Sequence, residues 1–185
     1  MVIGLEPAAG TLEPVPALDR PDLLAGPVVE ALKALPDDLA ASCGVAAIEP
    51  DLADTAAFCE AYSSPLELSA NCVVVSGSRS GEQRFAACVV LATTRADVNG
   101  VVRKRIDVRK ASFAPMDLAV ELTGMECGGI TPFGVPADWP VLVDPAVLAA
   151  PAVVVGSGIR ASKLVVPGAV LGRLSGAESV EGLGR

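Results

Sequence analysis

The 185-residue sequence contains no histidine, and this absence excludes several kinds of active site. A Ser-His-Asp triad, an imidazole general base and a zinc site with a histidine ligand all need that residue. Aromatic residues make up only 3% of the chain, although 51% of it is hydrophobic. We therefore expect a core of alanine, valine and leucine, which at this length needs neither disulfides nor a metal ion to fold.

Long apolar runs and closely spaced cysteines are also missing. No apolar run approaches the roughly 20 residues that span a membrane, and residues 1–26 lack the basic start of a secretory signal. The five cysteines are widely spaced and form no C-x-x-C motif. They are Cys43, Cys59, Cys72, Cys88 and Cys127. This pattern indicates reduced thiols, so we expect a cytoplasmic protein. On other grounds, such as the missing apolar runs and the missing histidine, we expect no membrane contact, metal or cofactor.

Basic residues are scarce in the first part of the chain. Residues 1–70 hold twelve acidic and two basic residues, whereas residues 71–185 hold twelve basic and ten acidic ones. The net charge of −8 argues against binding along long nucleic acid. The strongest basic cluster lies within residues 103–110 and could either bind phosphates or form a solvated helix face. It consists of Arg103, Lys104, Arg105, Arg109 and Lys110.

Short strands and helices are interspersed along the chain, which predicts an α+β or a mixed α/β fold in one main domain. Residues 1–44 are an acidic, Pro/Ala-rich extension with a short helix, residues 45–175 form the domain, and residues 176–185 are expected to be a loose tail. A β-hairpin is predicted from the runs at 72–75 and 84–92. Further strands are predicted at 45–48, 111–113, 141–143, 152–155 and 163–166. Further helices are predicted at 56–62, 97–106, 115–122, 147–150 and 167–174.

Two glycine-rich segments could border a ligand. The first, CGGITPFG at 127–134, offers backbone N–H groups that could stabilise an oxyanion, or it could be a plain tight turn. The second, GSGIR at 156–160, lacks the third glycine of a dinucleotide-binding loop. Arg160 could hold a phosphate or carboxylate there, or it could be a surface residue of a hairpin turn.

Two further polar positions lie at strand ends. Asn71 begins a strand and could cap it, and Cys72 beside it has no histidine to activate it as a nucleophile. Asp144, before Pro145, could form a turn or face a cleft.

The order of these segments resembles the YbaK/EbsC family, free-standing relatives of the prolyl-tRNA synthetase editing domain. The specific part runs from Thr123-Gly124 through the loop at 128–134 to Asp144, and the likeness covers residues 45–175. The resemblance implies a mixed, partly barrel-like β-sheet flanked by helices. It also implies metal-independent hydrolysis of the ester between a wrong amino acid and the tRNA 3′ end. Gly128 and Pro132 match the family's G-x-x-x-P motif.

This sequence departs from the family pattern at one position. Many members have a lysine where Asn71 lies, and an amide lacks the positive charge that a lysine offers to an oxyanion. Lys163 lies where some relatives have an aspartate. We hypothesise that Lys163 reaches the pocket from the opposite wall, although it could equally be a surface residue beside a pocket that has lost its cation.

The expected site follows from this resemblance. Catalytic roles are expected for Asn71, Gly128 and Lys163. Substrate contacts are expected for Gly129, Ile130, Thr131, Pro132, Asp144, Gly156, Ser157, Gly158 and Arg160. Contacts with tRNA phosphates are expected for Arg103, Lys104 and Arg105.

Three functions remain open from the sequence. The first is a trans-acting deacylase of tRNA charged with a small amino acid, possibly on the proline tRNA, whose partner is the tRNA acceptor end. The second is a non-catalytic pocket that binds an aminoacyl or other small ligand or a protein partner. The third, a thiol function at Cys72 or Cys127, lacks a resolving cysteine nearby. The oligomeric state stays open.

Overall fold

A computed structural model describes residues 2–185 and shows an α+β fold of two sheets flanked by helices. The strands are β1 (Val15–Pro16), β2 (Gly44–Ala47), β3 (Ala70–Arg79), β4 (Glu82–Leu91), β5 (Ala111–Phe113), β6 (Val141–Val143), β7 (Val153–Gly156), β8 (Ser162–Val166) and β9 (Ala177–Ser179). The helices are α1 (Glu6–Ala9), α2 (Gly26–Lys33), α3 (Asp37–Ala41), α4 (Thr55–Tyr62), α5 (Arg103–Arg105), α6 (Met116–Thr123), α7 (Pro145–Ala149) and α8 (Gly168–Leu171).

The two sheets lie edge to edge and are joined by one backbone bridge. One has the strand order β1-β2-β8-β7, and the other has the order β5-β3-β4-β6-β9. A parallel bridge between Ser69 and Val154 joins β3 to β7, the strand at the end of the smaller sheet. The joined sheets enclose a common interior, in agreement with the mixed, partly barrel-like sheet that the resemblance implies.

Alternation along β4 explains why the larger sheet is covered on both faces. Ala87 and Val89 point into the main core between the sheets, while Ala86, Cys88 and Val90 point into a second core. The segment before β5 covers this second core with Val98, Val102 and Ile106, among others. Since successive side chains of a strand face opposite sides, an apolar run of this length predicts a strand buried on both faces.

The predicted hairpin is confirmed, although its strands are longer than predicted. The turn is confined to Ser80 and Gly81, both with positive φ. The helix predicted at 97–106 differs more. Its first part, Val98–Val102, is a π-helical turn, and only Arg103–Arg105 is α-helical. The Asp97 carboxylate accepts hydrogen bonds from the N–H groups of Gly100 and Val101, which anchors the wider first turn.

The predicted loose tail at 176–185 is wrong. Strand β9 pairs in parallel with β6, and Leu183 is fully buried in the second core. Arg185 forms an ion pair with Asp97 at 2.7 Å. Apolar residues of the tail thus close the second core, which explains why the tail is folded onto the sheet.

Residues 2–44 also pack against the rest of the chain. Strand β1 extends the smaller sheet through β2, and Val28 and Leu32 of α2 are fully buried in the main core. Within residues 2–185, no helix is both long and apolar enough to cross a membrane.

Candidate functional site

A cavity of about 400 Å³ lies where the two sheets meet. Its walls come from α4, the first half of β3, the segment from β5 to α6, the glycine loop after α6, and the β7-β8 pair. It is lined by Ala53, Asp54, Thr55, Phe58, Ser69, Ala70, Asn71, Cys72, Val73, Val74, Phe113, Ala114, Met116, Ala119, Gly128, Ile130, Val154, Val155, Gly156 and Lys163. Most of these side chains are apolar or small.

The edge of β3 forms one wall of this cavity. Strand β5 pairs with β3 only from Val75 to Gly77, and the carbonyl of Val74 accepts a hydrogen bond from Ala114 at 2.8 Å. Backbone groups of alternate residues in an antiparallel strand point to the same side. The N–H and C=O groups of Cys72, two residues before Val74, therefore face the cavity. They supply polar groups within a largely apolar lining.

Asn71 lies in this wall and bonds to the start of α4. The Thr55 hydroxyl donates to Asn71 Oδ1 at 2.8 Å. With its oxygen engaged in this way, the Asn71 Nδ2 group has no partner among residues 2–185. Asn71 therefore presents a neutral hydrogen-bond donor where a lysine would present a charge.

Lys163 enters the cavity from β8, and its side chain is buried with only 8% of the residue exposed. Its ammonium donates to the Ala53 carbonyl at 2.6 Å and lies 5.4 Å from the centre of the Phe58 ring. Burial lowers the pKa of Lys163 from its ordinary value of 10.5, and the Asp54 carboxylate opposes that shift. An ammonium has three donors, so two remain after the bond to Ala53.

The two glycine-rich segments pack backbone against backbone. Gly158 donates to the Gly129 carbonyl at 2.8 Å, and Glu126 donates to the Gly158 carbonyl at the same distance. A Cβ atom on Gly129 would lie 2.8 Å from the backbone of Ile159. These glycines are thus needed for close contact between the loops, and the Gly158 N–H is not available to a phosphate.

Arg160 lies across this pair of loops. Its guanidinium donates to the Cys127 carbonyl at 3.3 Å, occupies the space beside Gly128, and lies 3.8 Å from the Asp54 carboxylate. Its backbone N–H donates to Glu126 Oε2 at 2.7 Å. Arg160 therefore ties the glycine loops to the start of α4. Glu126, which the sequence reasoning missed, holds both loops together.

The cavity brings together five of the expected site residues. They are Asn71, Gly128, Ile130, Gly156 and Lys163. The other seven expected at the substrate are not part of its wall. They are Gly129, Thr131, Pro132, Asp144, Ser157, Gly158 and Arg160.

Each of these outer residues has another place in the fold. Ser157 is fully buried and hydrogen-bonds to Ser162 at 2.7 Å. Thr131 is fully buried, and its hydroxyl has no hydrogen-bond partner within the described part of the chain. Pro132 lines a second cavity of about 290 Å³. Asp144 caps α7 by accepting from Ala146 and also accepts from the Gly184 N–H at 2.7 Å. Its carboxylate therefore holds the C-terminal tail in place, and Asp144 is not part of the cavity wall.

The three basic residues expected at phosphates are outside the cavity wall. Arg103 donates to the Asn99 carbonyl at 2.8 Å, Arg105 pairs with Glu178 at 3.0 Å, and Lys104 is exposed. They lie on the helical segment that covers the second core.

The thiols differ in exposure. Cys72 lines the cavity, and burial raises its pKa well above the ordinary range, which disfavours the thiolate. Cys127 is exposed beside Gly128. Cys72 therefore acts as a packed apolar side chain in the cavity wall.

Five further residues of the cavity wall were not predicted from the sequence. Asp54, Thr55 and Phe58 reach the cavity from α4, and Phe113 and Met116 line it from the other side. The two groups lie far apart in sequence and belong to no recognisable motif, so the sequence carried no signal that they share a cavity.

Comparisons with known proteins bear on this cavity. The sequence profile described as the aminoacyl-tRNA editing domain matches residues 49–174. No curated protein matches the chain. A hypothetical protein of known crystal structure is 19% identical, covers 86% of this chain and 99% of its own, and superposes with a TM-score of 0.72. A candidate trans-editing enzyme for prolyl-tRNA synthetase is 20% identical, covers 85% and 97%, and gives a TM-score of 0.69. At these identities the two structures show a shared fold.

Proposed function

The chain belongs to the aminoacyl-tRNA editing domain family, and from this membership we propose that it is a trans-acting aminoacyl-tRNA deacylase. It would hydrolyse the ester between a wrong, small amino acid and the 3′ end of a tRNA. The observation that supports this most is that one cavity is lined by Asn71, Gly128 and Lys163 together. In this role the protein would act in the cytoplasm, where charged tRNA is used.

The reaction needs little beyond positioning and charge. Water adds to the ester carbonyl carbon, the carbonyl oxygen becomes an oxyanion, and the bond to the ribose oxygen then breaks. The ribose oxygen takes up a proton, which leaves a free amino acid and an uncharged tRNA. An ester is already activated, so oriented hydrogen-bond donors provide most of the required stabilisation.

Lys163 is the residue to which we assign the oxyanion. Its ammonium keeps two donors after its bond to Ala53, and it lies in an apolar wall where a charge acts strongly. Asn71 Nδ2 is a second donor in the same cavity. Gly128 lies at the cavity wall with a φ of 81°, which suits glycine, and its lack of a side chain leaves room for the Arg160 guanidinium.

The cavity favours a small side chain. Cys72, Val74, Ala119 and Ile130 form apolar parts of its wall, and about 400 Å³ must hold the aminoacyl group together with part of the ribose. Alanine, serine, threonine and cysteine esters are the substrates that we propose, with the proline tRNA as the first carrier to test. The half-buried Arg103 and the exposed Lys104 remain our candidates for acceptor-stem phosphates, with Arg105 beside them.

Single-turnover deacylation tests this proposal. Proline tRNA charged with alanine, serine, threonine or cysteine is incubated with the wild type and with Lys163→Ala, and other tRNAs mischarged with alanine or serine extend the panel. We expect one or two esters to be hydrolysed well above background, and Lys163→Ala to lose most of that rate. Unchanged hydrolysis in Lys163→Ala would refute the role of Lys163.

A binding function is the second candidate, and one observation favours it. The Lys163 ammonium is already engaged by Ala53 and lies near Phe58, while Asn71 is uncharged. A pocket in that state would hold an aminoacyl group without cleaving it. If the wild type binds an aminoacyl-adenosine mimic and hydrolyses none of the esters, the binding function is correct.

A further inference from the structure

Phe113 is the one exposed ring among the six aromatic residues of the chain. It is 61% exposed, whereas Phe58, Phe133 and Trp139 are buried and Tyr62 and Phe85 are half-buried. Phe113 also lines the cavity, together with the half-exposed Met116. Leaving a large apolar ring in water at the wall of a cavity is unfavourable, so a ligand that covers Phe113 would gain binding energy.

The sheet register places this ring beside the basic segment. Phe113 pairs directly with Val75, and paired residues of neighbouring strands share a face of the sheet. Val75 belongs to the second core, which the helical segment ending in Arg103–Arg105 covers. Phe113 therefore projects from the same face of the sheet that carries the basic cluster.

The charges of this region are unevenly neutralised. Arg79 and Arg84 pair with Asp107, Arg84 also pairs with Glu82, and Arg105 pairs with Glu178. Among residues 2–185, no carboxylate forms an ion pair with Lys104, Arg109 or Lys110. Asp117 of α6 is the acidic residue that follows Phe113 most closely in sequence.

Two of the unpaired cations, Arg109 and Lys110, are exposed and closely precede the ring in the chain. Lys110 immediately precedes β5 and Phe113 ends it, so about 10 Å of extended strand separates them. That length corresponds to a few nucleotides of a single strand. β5 is also the outermost strand of its sheet, and charged residues beside such an edge discourage pairing with another copy of the chain.

We propose that Phe113 is the platform on which the terminal base of the tRNA 3′ end stacks, while Arg109 and Lys110 bind the phosphates that precede it. This inference rests on the proposed function, because it places the aminoacyl group in the cavity and the base just outside. Single-stranded bases stack on exposed aromatic rings whatever their sequence, and basic side chains track the backbone beside them.

Tryptophan fluorescence tests the stacking without any need for hydrolysis. Phe113→Trp keeps a flat ring at the rim, and the buried Trp139 gives a background that the wild type measures. The probe is an uncharged RNA hairpin that ends in a single-stranded CCA, with the same hairpin lacking the last base as its control. We expect quenching by the first hairpin and much less by the second. Equal quenching by both would overturn the proposal.

Kinetics on charged tRNA give the second readout. Phe113→Ala should raise KM by about tenfold or more, since a stacked base contributes that much to binding, and should change kcat little. Phe113→Tyr should restore the wild-type KM. Leu122→Ala removes another exposed apolar side chain that is not in the cavity wall, so its KM should match the wild type. An unchanged KM in Phe113→Ala would overturn the proposal.

Two further outcomes are distinguishable. If the wild type hydrolyses no ester, the proposed function fails, yet base-dependent quenching of Phe113→Trp would still support the stacking site. If Phe113→Ala converts a dimer into a monomer in sedimentation and RNA binding stays unchanged, the ring belongs to a contact between copies, and the proposal is overturned.

Discussion

The Lys163 ammonium on β8 donates a 2.6 Å hydrogen bond to the carbonyl of Ala53, which lies two residues before the start of α4. This bond joins residues 110 positions apart and brings a buried charge to the wall of the cavity. Lys163 thereby lies in the same cavity as Asn71, the position at which the resemblance to the YbaK/EbsC family leads us to expect a lysine in many members. The cavity retains a cation, although it comes from a different strand.

Removing the charge of Lys163 should remove most of the proposed activity. Lys163→Met keeps the apolar stem but loses the ammonium, and we expect the single-turnover rate to fall by about 100-fold, as for the loss of one oxyanion donor. Thermal unfolding checks that the variant is folded. A rate within a factor of two of the wild type would contradict the assignment.

A lysine at position 71 should restore part of the hydrolytic activity that Lys163→Ala loses. In the Lys163→Ala background, Asn71→Lys places an ammonium on β3, at the opposite wall of the same cavity. We expect the double variant to hydrolyse the preferred ester faster than Lys163→Ala alone. Asn71→Gln is the matched control, because it lengthens the side chain without adding charge. If the lysine and glutamine variants behave alike, a cation at this wall does not assist hydrolysis.

The pH profile should reflect the buried ammonium. Because burial lowers the pKa of Lys163 below 10.5, the charged form is lost in the folded protein at a pH where an exposed lysine keeps its proton. We expect kcat/KM, corrected for spontaneous hydrolysis, to fall as pH rises through this lowered value. A rising limb there would instead indicate a neutral amine acting as a base.

The contribution of Lys163 to stability should change with pH in the opposite direction to the activity. Between the lowered pKa and 10.5, the unfolded chain still binds the proton that the folded chain has released. The contribution of Lys163 to the free energy of unfolding therefore increases with pH in that window. Comparing the unfolding of the wild type and Lys163→Met across this range isolates the effect.

The contact between the glycine loops should be sensitive to a single methyl group. Gly129→Ala places a Cβ 2.8 Å from the Ile159 backbone, so we expect a loss of about 1–3 kcal/mol in the free energy of unfolding. Gly26→Ala is the control, because its Cβ would meet nothing within 4 Å. Chemical denaturation measures both. Equal stability of the two variants would show that the loops separate easily.

The cysteines should react in order of their exposure. Cys127 is exposed, whereas burial raises the pKa of Cys72 and suppresses its thiolate. Brief alkylation at neutral pH, read by mass spectrometry, should modify Cys127 first, and Cys127→Ser should remove the fast product. Faster modification of Cys72 would revive a thiol function.

The sequence by itself determined many of the local elements and the family. Alternation and a Ser-Gly turn specify the β3-β4 hairpin, and the absence of histidine excludes imidazole catalysis. The loop at 127–134 carried the family resemblance, and the family match confirms it. These features depend on residues close together in the chain, so periodicity and turn chemistry reveal them.

Only the tertiary structure decided which side chains share the cavity. Packing of the sheets brings Lys163 to Ala53, sends Asp144 to the tail, and leaves Phe113 exposed at the rim. It also folds the C-terminal tail onto β6, where Leu183 closes the second core. Such relationships arise from contacts between distant segments, whose energies depend on burial and shape and leave no local pattern in the sequence.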